Sequence, residues 1–257
     1  MLDQIDIQDI VAIAKEAGNA IMQIYKQDFE IKYKQDNSPL TLADKRANDI
    51  IEHGLNQLSV NFPILSEEGK EITYEDRKHW EYFWLVDPLD GTKEFVKKND
   101  EFTVNIALIH KDTPVLGVVY APALDVCYWS KLGGGSYKNG QKLPCKTEKQ
   151  RNTYKIIASR SHMSDETRKF IDTMRTKKEK ELISIGSSLK ICLVAEGEAD
   201  IYPRLAPTME WDTGAAHAIV NEAGGSVIEY EKRRQLHYNQ RKTLRNPSFI
   251  VANKAIQ

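Results

Sequence analysis

The stretch Tyr82-Phe83-Trp84-Leu85-Val86-Asp87-Pro88-Leu89-Asp90-Gly91-Thr92-Lys93-Glu94-Phe95 constrains this chain more than any other. Its apolar run at 82–86 reads as the end of a buried strand that breaks at Pro88 and turns at Gly91. Asp87 and Asp90 then leave the sheet together at the strand's carboxyl end, where open α/β sheets keep their active sites. Two aspartates three residues apart in a cleft cannot both ionise cheaply unless positive charge lies between them. A divalent cation supplies it, and oxygen donors with no His or Cys nearby suit a hard ion such as Mg²⁺ rather than zinc. Taken alone, Asp-Pro-x-Asp-Gly is also what an ordinary polar turn is made of.

Two further acidic sites weigh against the bare turn. Ser66-Glu67-Glu68 follows the short apolar run 62–65, and Asp212 in Glu210-Trp211-Asp212-Thr213-Gly214-Ala215-Ala216 stands where a helix begins. A metal cluster needs carboxylates converging from several elements, and three such elements are present. Cationic and hydroxyl residues recur in the second half of the chain. Ser187 and Ser188 open a helix behind Gly186, where free N–H groups and the helix dipole favour an anion, and Lys190 is one turn in. Ser159-Arg160-Ser161-His162 and Tyr202-Pro203-Arg204 each follow a strand end. Equally, Ser187 reads as an ordinary N-cap, Lys190 as a surface lysine and His162 as a loop residue. Asp44, in Thr41-Leu42-Ala43-Asp44, fits the acid of a capping box.

Along the chain, Ile7, Ile10, Ala14, Ala17, Ile21 and Ile24 keep a helical stripe over residues 6–27. Phe29, Ile31 and Tyr33 alternate as a strand ending in a turn at 36–39, and a second helix follows Thr41. Strands are predicted at 102–108, 115–120 and 126–129, with Gly117 marking a bulge. Gly133-Gly134-Gly135 lacks the Gly-Lys-Ser/Thr of a phosphate loop, and Tyr137-Lys138-Asn139-Gly140-Gln141 is a hairpin signal, so the glycines read as structural. Residues 142–152 are the best boundary. Beyond them strands at 154–158, 182–185 and 201–202 alternate with helices at 165–174 and 187–196, an α/β pattern. The run Lys177-Lys178-Glu179-Lys180 reads as a solvated helix end. The helix after Asp212 stops at Gly224-Gly225, and 227–228 and 249–251 close the sheet.

Length and charge bound the function. At 257 residues the chain can bury a large core. With 36 Lys+Arg against 37 Asp+Glu, the formal charge of -1 gives no electrostatic case for binding a nucleic-acid polymer. Three cysteines, Cys127, Cys145 and Cys192, are odd in number and lack CxxC spacing, which fits a reducing cytosol. The N-terminus lacks the pattern of a signal peptide, and no transmembrane run occurs.

Residues 66–68, 87–95 and 211–216 together resemble the magnesium-dependent, lithium-sensitive phosphomonoesterases that include inositol monophosphatase and fructose-1,6-bisphosphatase. Thr92-Lys93-Glu94-Phe95 and Gly186-Ser187-Ser188-Leu189-Lys190 are similar to the 3'(2'),5'-bisphosphate nucleotidase branch, the CysQ type. The resemblance implies an α/β fold, a layered α-β-α-β-α sandwich. An N-terminal α+β half, 1–145, would carry most metal ligands, and a C-terminal α/β half, 146–257, the substrate grip and Asp212, with the active site between them. It implies one Mg²⁺ on Glu67, Asp87 and the Leu89 carbonyl, a second on Asp87, Asp90 and Asp212, and room for a third near Glu67. Asp44 and Thr92 would activate the attacking water. Substrate contacts would come from Glu67, Leu89, Asp90, Gly91, Thr92 and Asp212, and on the far side from Ser187, Lys190, Arg204 and His162.

The implied reaction is hydrolysis of the 3'-phosphate of adenosine 3',5'-bisphosphate to AMP, with the 5'-phosphosulfate analogue as a further substrate, in sulfur assimilation. The resemblance places such an enzyme in the cytoplasm, as monomer or homodimer, and some bacterial relatives associate with the cytoplasmic face of the inner membrane. An inositol or sugar phosphatase of the same superfamily would share every metal ligand. A phosphometabolite-binding protein on a dead scaffold would have lost the chemistry, yet all six acidic and hydroxyl positions are present. The haloacid-dehalogenase reading of Leu89-Asp90-Gly91-Thr92 fails, because its nucleophilic aspartate would stand at Pro88.

Overall fold

The computed structural model describes residues 1–26, 42–144, 151–159 and 163–254. Helix α1 (Ile7–Tyr25) starts at Asp6, whose side chain accepts the Gln8 amide at 2.9 Å. Its apolar stripe packs beside α2 (Leu42–Asn56), which turns Ala43, Ala47, Ile51 and Leu55 inward. The strand expected around Phe29 to Tyr33, the 36–39 turn and the Thr41 cap lie outside the described residues.

These two helices cover one face of a seven-stranded sheet. Its strands run in chain order: β1 (Ile64–Ser66), β2 (Tyr82–Asp90), β3 (Thr103–His110), β4 (Thr113–Ala121), β5 (Val126–Lys131), β6 (Gly135–Lys138) and β7 (Gln141–Lys142). β1 and β2 are parallel, and every later neighbour is antiparallel. Two short helices, α3 (Tyr74–Arg77) and α4 (Thr92–Val96), flank β2. Side chains alternate across the sheet: Trp84, Val86, Val104, Ile106 and Leu108 face α1 and α2, whereas Phe83, Leu85, Ala107 and Ile109 face the other way. Asp87 and Asn105, opposite each other in the register, belong by the same period of two to that second face.

The second sheet contains β8 (Thr153–Ser159), β9 (Glu179–Ile185), β10 (Ile201–Arg204), β11 (Ser226–Glu229) and β12 (Phe249–Ala252), in the order β11-β12-β10-β8-β9. Helix α5 (Asp165–Thr173), capped by Ser164, covers its outer face through Ile171 against Ile156, Ala158, Ile201 and Ile250. Between the sheets lie α6 (Leu189–Ala195) and α7 (Gly214–Glu222), the latter buried from Gly214 to Val220. The layers run α-β-α-β-α, as expected. Each buried Ile or Val in this middle layer contributes roughly 1.5–3 kcal/mol, so α7 is a principal tie between the sheets. Among the described residues, no helix is long and apolar enough to cross a membrane.

Four expectations are corrected. β2 does not break at Pro88 but runs on to Asp90, because the register shifts between Asp87 and Asp90 and leaves the proline out of the ladder. Gly117 is not a bulge: it pairs regularly with Ala107 and Ser130, and a Cβ there would stand 2.1 Å from the Ala215 carbonyl oxygen. It is glycine because α7 lies directly on β4. Glu179 and Lys180 belong to β9, not to a helix end, since α5 already stops at Thr173. β10 continues through Arg204, so that side chain sits within the strand rather than after it. The glycines at 133–135 form a turn whose Gly133 and Gly135 amides are taken by the Glu222 carboxylate at 3.2 and 2.8 Å. Their amide cradle is filled by the protein itself.

Candidate active site

The carboxyl ends of β1 and β2 deliver acids into a cleft of about 300 Å³ between the sheets. Glu67 follows β1, Asp87 and Asp90 end β2, and Asp44 comes from the first turn of α2. Asp212 arrives from the opposite sheet, in the turn before α7. Gly91, in the left-handed region at φ 94°, lets the chain reverse so that Thr92 opens α4 on the cleft wall. Leu89 also lines the cleft. Lys190, Ser187 and Arg204 form its other side. His162, the remaining expected contact, lies outside the described residues.

Hydrogen bonds fix the acids in place. Asp87 Oδ1 accepts the Leu89 amide at 3.1 Å, and Asp212 Oδ2 accepts the Met209 amide at 2.9 Å. Ser188 Oγ is 2.8 Å from Asp90 Oδ2 and 2.6 Å from the Asp212 carbonyl, and it accepts from Asn105 Nδ2 at 3.0 Å. One hydroxyl thus joins the two sheets' acidic turns. The turn that carries it differs from expectation: Ser188, not Ser187, occupies the N-cap position of α6 and makes no side-chain cap, while Ser187 is left-handed at φ 47°. Gly186 makes this turn possible. Its amide donates to Glu101 Oε2 at 2.7 Å, and a Cβ there would meet Glu94 Cγ at 2.7 Å and the Glu101 carbonyl at 2.8 Å.

Charge is crowded here. Burial raises the Asp87 pKa well above the usual carboxylate range, and Glu67, Asp90, Asp212 and Asp44 raise it further. Asp212 is pushed to about 8, first by burial and then by Asp90. Burial also raises Asp90, but Lys190 and the hydrogen bonds from Ser188 and Asn105 oppose it. Lys190 is itself depressed by burial, while Asp90 favours its charged form and Arg204 disfavours it. Among the described residues, no group of three or more His, Cys, Asp or Glu side chains is drawn together closely enough to hold a metal ion as it stands. The acids line one cleft, and their ionised forms disfavour one another. Oxygen donors alone, without a His or Cys in the lining, fit a hard divalent cation.

The sequence reading missed Asn105 and Glu101, and quoted Glu94 only within the 92–95 motif, without a role of its own. Asn105 carried a usable signal, as a lone amide on the buried strand Thr103–His110. Glu101 carried none, because only the fold presses the Gly186 turn onto it.

A profile of the inositol monophosphatase family matches residues 1–257. The 3'(2'),5'-bisphosphate nucleotidase CysQ of Salmonella typhimurium is 45% identical over 252 residues, covering 95% of this chain and 98% of that protein. The crystal structure of CysQ from Bacteroides thetaiotaomicron matches with a TM-score of 0.88 at 44% identity, over 98% of each chain. An IMPase of Thermotoga maritima, 24% identical, shares the fold with a TM-score of 0.76 over 95% of this chain and 90% of its own. The chain therefore belongs to the inositol monophosphatase family of metal-dependent phosphatases and, within it, to the CysQ-type 3'(2'),5'-bisphosphate nucleotidases.

Proposed function

We propose that this enzyme removes the 3'-phosphate of adenosine 3',5'-bisphosphate with the help of Mg²⁺, giving AMP and phosphate, and accepts the 5'-phosphosulfate analogue in the same pose during sulfur assimilation. The observation that carries the reading is a single cleft with crowded, buried carboxylates on one side and Lys190 and Arg204 on the other. A bisphosphate brings one anion to each side. The cations neutralise the phosphate that is kept, a need that an inositol monophosphate does not have.

Glu67, Asp87 and the Leu89 carbonyl would hold one ion, and Asp87, Asp90 and Asp212 another, with a weaker third beside Glu67. Bound Mg²⁺ supplies acidification of water and neutralises charge on the attacking and leaving oxygens. Asp44 accepts the proton of the attacking water, and the Thr92 hydroxyl orients that water. Ser188 and Asn105 keep Asp90 in place through the bonds described above, and Gly91 leaves room for the phosphate. The buried free thiols of Cys127 and Cys192 support a cytoplasmic enzyme.

Asp90→Asn tests the site. Activity should fall ~10²-fold or more with the circular dichroism spectrum unchanged, since a ligand would be lost. Unchanged turnover would remove the metal site from this cleft.

A further inference from the structure

The segment 235–246, which has no regular secondary structure beyond isolated bridges, lies along the back of the turn that presents Asp212. Backbone bonds tie the two together: the Glu210 amide donates to the Leu244 carbonyl at 2.8 Å and the Asn246 amide to the Thr208 carbonyl at 2.9 Å. The Asn239 amide donates to Glu210 Oε2 at 2.8 Å, and Asn246 Nδ2 donates to the Met209 carbonyl at 2.7 Å. Arg77, buried at the end of α3, holds the segment from behind through the Arg241 and Lys242 carbonyls, each at 2.9 Å.

Thr213, the residue after Asp212, is the hub of the contact. Its hydroxyl donates to the Glu210 carbonyl at 3.1 Å and accepts from Tyr238 Oη at 3.1 Å and Asn246 Nδ2 at 3.0 Å, so its one hydrogen and both lone pairs are used. Tyr238 is fully buried, and His217 Nδ1 lies 3.0 Å from its hydroxyl. Burial holds His217 neutral, with its pKa pushed down to about 3. Because the Tyr238 hydrogen goes to Thr213, His217 must donate from Nδ1, leaving Nε2 to accept from Gln235 Nε2 at 3.2 Å. The direction of the chain is thereby set from Gln235 to the turn.

We propose that residues 235–246 are the frame that sets the position of the Asp212 carboxylate, and that Tyr238 is a positioning residue acting through Thr213. Orienting partners behind a metal ligand are worth about 10–100-fold in metal affinity or activity. The inference rests on the reading of Asp212 as a Mg²⁺ ligand.

The test uses the full chain carrying Tyr238→Phe, which deletes one oxygen and keeps the ring. Mg²⁺ binding is measured by titration calorimetry, and kcat and KM are measured on adenosine 3',5'-bisphosphate. Mg²⁺ affinity and kcat should each fall about tenfold or more, with the nucleotide KM and the circular dichroism spectrum unchanged. Thr213→Ser, which keeps the hydroxyl, should bind Mg²⁺ as the parent does, whereas Thr213→Val should repeat the loss. A folded Tyr238→Phe enzyme with parental Mg²⁺ affinity and kcat overturns the inference, as does equal impairment of the two Thr213 variants. If Tyr238→Phe does not fold, the Thr213 pair decides. Asp212→Asn separates the two claims: parental Mg²⁺ affinity there sinks the ligand reading itself, while weak binding there beside normal binding in Tyr238→Phe sinks only the positioning role.

Discussion

Replacing Asp212 by Asn in the metal-stripped protein should raise its thermal stability at neutral pH, although it removes a group from the active site. Burial and the neighbouring Asp90 push the Asp212 carboxyl from its ordinary 3.8 to about 8. An acid whose pKa is raised by folding binds its proton more tightly in the folded state, so its ionisation costs stability. The cost is absent below 3.8, grows as pH rises, and is complete above about 8. At ~1.4 kcal/mol per pH unit, the proton that the folded Asp212 carboxyl keeps and the unfolded one has released costs at most about 4 kcal/mol at pH 7. Asp87 and Asp90 are raised in the same direction, in each case first by burial. Asn carries no charge at any pH and can still accept the Met209 amide. In a chain of this size each kcal/mol moves Tm by ~2–4 °C, so the variant should melt above the parent by at most roughly 8–16 °C at pH 7 in EDTA. The gap should close as the pH is lowered towards 4, and added Mg²⁺ should stabilise the parent more than the variant. Thermal melts across this pH range measure it. A gap that does not change with pH, or a parent more stable than the variant at pH 7 in EDTA, would refute the electrostatic account of the cleft.

Gly117→Ala should destabilise the protein by about 1–3 kcal/mol or more, since its Cβ would stand 2.1 Å from the Ala215 carbonyl and α7 must move off β4. A thermal melt reads this directly, and an unshifted Tm would mean that the packing between helix and sheet is not as described. Lys190→Ala should slow hydrolysis of adenosine 3',5'-bisphosphate roughly 10–100-fold, the size of a lost charged hydrogen bond of ~1.5–3 kcal/mol. Hydrolysis of inositol 1-phosphate should suffer far less, and equal losses on the two substrates would count against the assignment of the Lys190 side.

Much of the frame was legible because periodicity survives folding. The stripe of α1, the alternation in β3 and the strand ending in Asp87 and Asp90 all record one buried face. Where reading failed, long-range packing had set the local structure. Gly117 mimicked a bulge because only the position of α7 explains it, and Pro88 mimicked a strand end because a register shift was invisible. The site divides in the same way. Carboxylates at strand ends announce themselves by residue type, so Glu67, Asp87, Asp90 and Asp212 could be gathered before any fold was known. Tyr238, Asn246 and Glu101 could not, because each acts on a segment far away in the chain, and nothing in their own neighbourhood marks them.

The most direct test of the whole account is phosphate release by the purified protein from adenosine 3',5'-bisphosphate, inositol 1-phosphate and fructose 1,6-bisphosphate, each in Mg²⁺ and again in EDTA. The account predicts rapid hydrolysis of the nucleotide, slow hydrolysis of the other two, and loss of all activity in EDTA. Preference for the inositol or sugar phosphate would contradict the substrate, and nucleotide hydrolysis that persists in EDTA would contradict the metal-holding cleft.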